Sequence, residues 1–122
     1  MYVAVVLTEE SHKKLLDRFK GFFPEDWEVK AHHMTINMGN VQPAMKKFLG
    51  KKVKNLEVIS MAKDNLVAAA GVRGFESSNA IPHITLAVNR AEGGKPFFSN
   101  KLTDWTALPT PFSVEGVVQV VE

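Results

Sequence analysis

Hydrophobic and polar positions along the chain change period several times, and each change marks an element. Residues Tyr2 to Leu7 form an unbroken apolar, largely β-branched run, the pattern of a strand buried on both faces. Thr8 is suited to cap a helix, with Glu9 and Glu10 in its first turn, and His12, Leu15, Leu16, Phe19, Phe22 and Phe23 then recur at helical spacing. Gly21 and Pro24 end that helix. A second strand is expected from about Val29 to Met38, broken by Gly39-Asn40. A short helix is expected from Pro43 to Leu49, with Met45, Phe48 and Leu49 toward the core. Val53 to Met61 and Leu66 to Val72 read as strands joined by a hairpin turn at Ala62-Lys63-Asp64-Asn65. Gly74 to Asn79 reads as a polar loop, and a strand follows from His83 to Asn89. Pro96 opens a short helix through Leu102, and a last strand spans Phe112 to Val121. The order β-α-β-α-β-β-β-α-β, with an antiparallel component, predicts an α+β fold in a single domain, residues 1–122.

One unit is repeated. His33-Met34-Thr35-Ile36-Asn37-Met38 aligns with His83-Ile84-Thr85-Leu86-Ala87-Val88, each running His, apolar, Thr, apolar, variable, apolar. Successive side chains of a strand point to opposite faces. His33, Thr35 and Asn37 therefore share one face and Met34, Ile36 and Met38 the other. His83, Thr85, Ala87 and Asn89 likewise oppose Ile84, Leu86 and Val88. If the two strands lie side by side, two imidazoles enter one cleft. A neutral imidazole takes a proton from water, and a protonated one gives a proton to a leaving oxygen. The Thr hydroxyls, two residues along, donate to non-bridging phosphate oxygens. Such a set suits in-line attack on a phosphodiester, particularly a strained cyclic one, and needs no metal.

The stretches Ala31-His32-His33-Met34-Thr35-Ile36 and Pro82-His83-Ile84-Thr85-Leu86 resemble the paired His-x-Thr/Ser motifs of the 2H phosphoesterase superfamily. That superfamily includes LigT-like RNA 2′,3′-cyclic phosphodiesterases, the cyclic phosphodiesterase domains of tRNA ligases, and phage enzymes that cleave cyclic oligonucleotide signals. The resemblance implies two pseudo-symmetric β-α lobes with antiparallel sheets around a central cleft, one motif per lobe. By motif position it makes His33 and His83 the acid/base pair and Thr35 and Thr85 the phosphate-binding hydroxyls, with no cofactor. Which histidine is the base depends on the side taken by the leaving oxygen. The implied substrate is a nucleotide or RNA end carrying a 2′,3′-cyclic phosphate, or a cyclic oligonucleotide. The alternative is a non-catalytic nucleotide or RNA binder that keeps the cleft. The chain is shorter than many members of the superfamily, which favours a small or terminal substrate.

Other residues refine this picture. His32 adjoins His33 and in a strand points to the opposite face, so it reads as a structural or surface histidine, and no metal site is expected from it. His12, on the apolar stripe of the first helix, reads as a packing or boundary residue. Phe75, Phe97, Phe98, Trp105 and Phe112 are the aromatics that could stack on a base, and Phe75, in the polar loop before the second motif, is the favoured one. Lys30, Arg73, Arg90 and Lys95 stand near strand ends but read first as solvated charge. Gly93-Gly94-Lys95 lacks the spacing of a phosphate-binding loop.

Composition adds exclusions. The chain has 122 residues, 45% hydrophobic and 23% charged, the balance of a soluble globular domain. It has no cysteine, which rules out disulfides, thiolate metal sites and a cysteine nucleophile. A formal charge of +2 is compatible with an anionic ligand but short of a dedicated nucleic-acid surface. The apolar N-terminal run is short and lacks a basic flank, so it reads as a strand and not a signal peptide. No stretch approaches the length of a membrane span, no obligate protein partner is implied, and the expected location is the cytoplasm.

Overall fold

The computed structural model describes residues 2–37 and 43–122. Seven strands are present among them: β1 (Tyr2–Leu7), β2 (Glu28–Val29), β3 (His33–Asn37), β4 (Lys52–Lys63), β5 (Val67–Arg73), β6 (His83–Val88) and β7 (Thr106–Val121). The one α-helix among the described residues, α1, spans Glu9–Arg18. Pro43–Phe48, Arg90–Glu92 and Pro96–Lys101 are 3₁₀ turns. The strands follow one another as β6-β3-β1-β7-β4-β5, and β5 pairs back to β6, closing a six-stranded antiparallel barrel with β2 as an outer extension of β6.

This overturns the expected α+β fold of two β-α lobes. The fold is mostly β, and both motifs lie in one barrel wall. The reason lies in the two segments expected to be further helices. Each is a six-residue stretch opened by proline that coils only as 3₁₀, too short to form the helical layer of a lobe. Two strands, β4 and β7, are longer than the alternation suggested. β7 begins at Thr106, not Phe112, and takes in Pro109 and Pro111. Both prolines fall in the irregularity between the pairs Ser60/Ala107 and Val58/Phe112, where no ladder donor is required of them.

Other expectations hold at the level of single elements. Thr8 caps α1, its hydroxyl accepting from the Ser11 amide at 3.1 Å, and Leu15 and Phe19 are buried in the core. Phe48 packs against the core, but Leu49 is 40% exposed. The expected break at Gly39-Asn40, the strand end at Met38 and the side chain of Met45 lie outside the described residues.

The wall that carries the two motifs is built from β1, β3 and β6. Val5 pairs with Met34, and Met34 with Ile84, and all three face the core. Val6 pairs with His33 and Ala4 with Thr35, so Tyr2, which alternates with Ala4 and Val6, shares the face of His33 and Thr35. β3 and β6 touch through this single registered pair, whereas β1 and β7 register six. The two motifs run antiparallel through it, so the face carries a local twofold arrangement centred on Met34 and Ile84.

Two irregularities shape this wall. Ala31 has φ 49°, a left-handed conformation that costs a non-glycine residue about 1–2 kcal/mol. It splits the expected Val29–Met38 strand into β2 and β3. It is buried and held by both backbone groups: its amide donates to Thr85 O at 2.8 Å, and its carbonyl accepts from His12 Nδ1 at 2.8 Å. In β6, Ala68 pairs with Ala87 but Ala69 with Thr85, so Leu86 is an extra residue. That bulge reverses the alternation. Ala87 joins the core and Val88 a small outer cluster with Val67, Ala69 and Leu102, contrary to the expected grouping of Ala87 with His83 and Val88 with Ile84.

Gly116 lets β1 and β7 approach. A Cβ there would stand 2.5 Å from Val6 O and 2.7 Å from Val5 Cγ1. Gly116→Ala is expected to destabilise the barrel by about 1–3 kcal/mol, seen as a lower urea midpoint with unchanged m.

Candidate active site

His33, Thr35, His83 and Thr85 line one cleft of about 460 Å³, within the range of small-ligand sites. The fold supplies each from a strand position whose neighbours point into the core, so the polar face of each motif is the only one free to meet a ligand. Lys30, His32, Tyr2 and Asn79 complete the wall, and Phe97 and Asn100 of the Pro96–Lys101 turn border it. No carboxylate lines the cleft among the described residues. Its fixed charge is the ammonium of Lys30, which favours an anionic ligand.

The two histidines are held differently. The ring of His83 is buried, and its Nδ1–H donates to Ile81 O at 2.8 Å. A carbonyl only accepts, so the proton of the neutral ring sits on Nδ1 and Nε2 is left as the acceptor. Burial pushes the His83 pKa below its ordinary value, an effect opposed by the bond to Ile81. His33 is less enclosed but more strongly perturbed. Burial, then the neighbouring imidazoles of His32 and His83 and the Lys30 ammonium, push its pKa down from 6.5 to about 4. Both of its ring nitrogens are engaged: Nε2 lies 3.0 Å from the Tyr2 hydroxyl and Nδ1 2.9 Å from Nδ1 of His32. Burial also raises the Tyr2 pKa, so the phenol keeps its proton.

The threonines differ too. The Thr85 hydroxyl lies 2.8 Å from Ser99 Oγ and 3.3 Å from Pro96 O, tying β6 to the 3₁₀ turn. Thr35 Oγ1 makes no hydrogen bond to another described residue. Its backbone is fixed instead, with Ser77 Oγ donating to Thr35 O at 2.8 Å and the Ser78 amide to Ile36 O at 2.7 Å. The polar loop after β5 thus docks on β3 and brings Asn79 to the cleft.

The expected opposite orientation of His32 is corrected: it lines the same cleft as His33. Two residues, His32 and His33, separate Ala31, bonded to Thr85, from Met34, paired with Ile84, whereas Thr85 and Ile84 are consecutive on β6, so the chain bulges there and strict alternation fails. Phe75 is not in the cleft. It packs edge-on against Phe48, ring centroids 5.6 Å apart, on the main core. Phe98 and Trp105 pack in the outer cluster, and Phe112 lies 6.4 Å from Phe19. Of the aromatics expected to stack on a base, Phe97 is the one at the cleft, 53% exposed. Of the four cations singled out in the sequence, Lys30 reaches the cleft and pairs with Glu28 at 3.3 Å, Arg73 pairs with Glu57, and Arg90 also pairs with Glu28. Tyr2, Asn79, Ser99 and Asn100 carry no local sequence signal, because only the pairing of β1 with β3 and the docking of two loops bring them in.

A broader depression of about 780 Å³ lies elsewhere, lined in part by Trp27, Asp64 and Glu92. The Asp64 carboxylate there already caps the hairpin, accepting from the Leu66 and Val67 amides at 2.8 and 3.0 Å. The histidine cleft is the better-built site. No group of three or more His, Cys, Asp or Glu is arranged to hold a metal ion among the described residues. No helix there is long and apolar enough to cross a membrane. No known family model matches the chain, and no curated protein matches it significantly.

The depressed His33 pKa has a consequence for stability. As pH falls from 6.5 to about 4, the unfolded chain binds the His33 proton and the folded chain does not, so stability is full above that window and drops through it. The loss is of the order of 2–3 kcal/mol, with His83 adding in the same direction. Urea unfolding at pH 7 and pH 4.5 is expected to show a smaller difference for His33→Gln than for the wild type.

Proposed function

We propose that the protein is a phosphodiesterase that opens a cyclic phosphodiester, on a nucleotide or RNA end or within a cyclic oligonucleotide, by two-histidine acid/base catalysis without a metal. The observation that carries this reading is the convergence of both His-x-Thr motifs on one face of one cleft, with Lys30 also lining it. The motif residues resemble those of the 2H phosphoesterases, although here they sit in adjoining strands of a closed barrel.

The different settings of the two rings divide the labour. His83, with its proton fixed on Nδ1, presents Nε2 as the base that takes a proton from the attacking water. The new phosphorus–oxygen bond forms as the bond to the leaving oxygen breaks, and Nε2–H of His33, turning from the Tyr2 hydroxyl that it faces at 3.0 Å, gives its proton to that oxygen. Thr35 and Thr85 donate to non-bridging oxygens, and Lys30 balances their charge. Thr85 can do so by turning its hydroxyl from Pro96 O while still accepting from Ser99. The cleft volume suits a nucleotide-sized ligand.

Turnover of 2′,3′-cyclic nucleotides, RNA ends with 2′,3′-cyclic phosphate, and cyclic 3′,5′- and 2′,5′-linked oligonucleotides is the direct test. His33→Ala and His83→Ala are each expected to lower kcat by about 10²–10⁴-fold, and EDTA to leave the wild type unaffected. Activity surviving both substitutions would refute the site, and loss to EDTA the metal-free reaction. Tight binding of these ligands with no turnover would identify a binding module instead.

A further inference from the structure

The cleft holds one titratable side chain that the proposed reaction does not use, and it is bonded to one that the reaction does. His32 Nδ1 and His33 Nδ1 are 2.9 Å apart, and His33 Nε2 is 3.0 Å from the Tyr2 hydroxyl. Two ring nitrogens at hydrogen-bond distance share one proton between them, so the three side chains form a chain Tyr2–His33–His32. The rings of His32 and His33 meet edge to face, which aims one nitrogen at the other. Tyr2 and His33 are half-buried, while His32 is exposed to water.

We infer that His32 is the proton relay of this site, passing a proton from solvent through Nδ1 of His33 so that Nε2–H of His33 can protonate the leaving oxygen. This rests on the phosphodiesterase reading above. Before reaction, His32 carries protons on both nitrogens and donates from Nδ1 to His33 Nδ1, while neutral His33 carries its proton on Nε2. As the phosphorus–oxygen bond breaks, the Nε2 proton goes to the leaving oxygen and His33 Nδ1 takes the proton of His32 Nδ1. His33 ends neutral in its other tautomer, and His32 ends neutral with its proton on Nε2. His32 then recovers a proton from water, and the His33 tautomer resets. No step makes His33 an imidazolium.

That feature answers a difficulty of the site. A ring held near pKa 4 is protonated in only about one molecule in a thousand at pH 7, too few for an efficient acid. A tautomer switch avoids the buried cation. The titratable and charged groups facing His33 are Tyr2 from β1, His32 and Lys30 from the preceding segment, and His83 from β6. The Pro96–Lys101 turn brings Phe97 and Asn100, which do not titrate, and Lys101 lies over the Phe97 ring at 5.4 Å.

The experiment compares wild type, His32→Ala and His32→Gln on whichever cyclic phosphodiester of the panel the wild type cleaves, with kcat and KM measured from pH 5 to 9. The relay predicts that both variants lose at least about tenfold in kcat at pH 7.5 with KM within about twofold. It predicts that the loss grows with pH until His32 itself gives up its second proton and then levels off, because in the variants His33 must be protonated itself and the optimum moves to the acid side. Added imidazole is expected to restore His32→Ala and not the wild type. Unchanged kcat in His32→Ala, a change confined to KM, or wild-type activity and profile in His32→Gln each overturns the relay while leaving the phosphodiesterase reading intact. A wild type inactive on the whole panel overturns both. The ¹⁵N shifts of His33, read without substrate, add an independent check: the relay requires that its tautomer balance change in His32→Gln, and an unaltered balance refutes the bond.

Discussion

Closure of the barrel through β6 is the constraint on which the rest depends. β6 pairs with β5 on one side and β3 on the other, and only this double pairing brings His83, fifty positions along the chain, beside His33. The core sets which face each motif shows. Met34, Ile84 and Val5 are fully buried and bring the intervening His and Thr to the opposite side. A one-residue slip of either strand would exchange the two faces, putting imidazoles in the core and Met34 or Ile84 in water. Packing of apolar side chains, not any polar contact, therefore fixes the chemistry of the cleft.

Within that frame the site departs from regular strand geometry at two points. A left-handed alanine is a local cost, met by hydrogen bonds from α1 and β6 to its two backbone groups. What it obtains is a pair of consecutive histidines on the same side of a strand. The bulge at Leu86 acts in the same way on the other motif, confining the polar stretch of β6 to His83 and Thr85 and returning Ala87 to the core. The two imidazoles that result are unequal. One is locked by a carbonyl into a single tautomer, and the other lies between a phenol and a second imidazole and is free to change tautomer.

The local alternation of both motifs was legible in the sequence, since apolar Met34 and Ile84 between polar neighbours define a face wherever the strand lies. The helix α1 was equally plain from its cap and stripe. The architecture was not. Alternation says that a segment is a strand but not which strand it joins, so β4, β5 and β7 gave no sign of closing a barrel, and two proline-led stretches resembled helices. The placement of His32 failed for a related reason: the rule of opposite faces assumes φ and ψ of a strand, and Ala31 leaves that region. Phe75 and Phe97 show a third limit. Both are aromatics in polar loops, and only the packing of Phe75 on Phe48 separates them. Tyr2 looked like one more residue of an apolar strand until β1 was found beside β3.

The seam between β3 and β6 has a meaning beyond position. Every other junction of the barrel is laced by several backbone pairs, while this one is registered at Met34 and Ile84 alone. The two motifs stand on either side of it. A phosphodiester anion held between the hydroxyls of Thr35 and Thr85 would span the gap and act as the rungs that the main chain omits there. Ligand and fold would then share one ladder, and the last stitch of the cylinder would be the substrate itself.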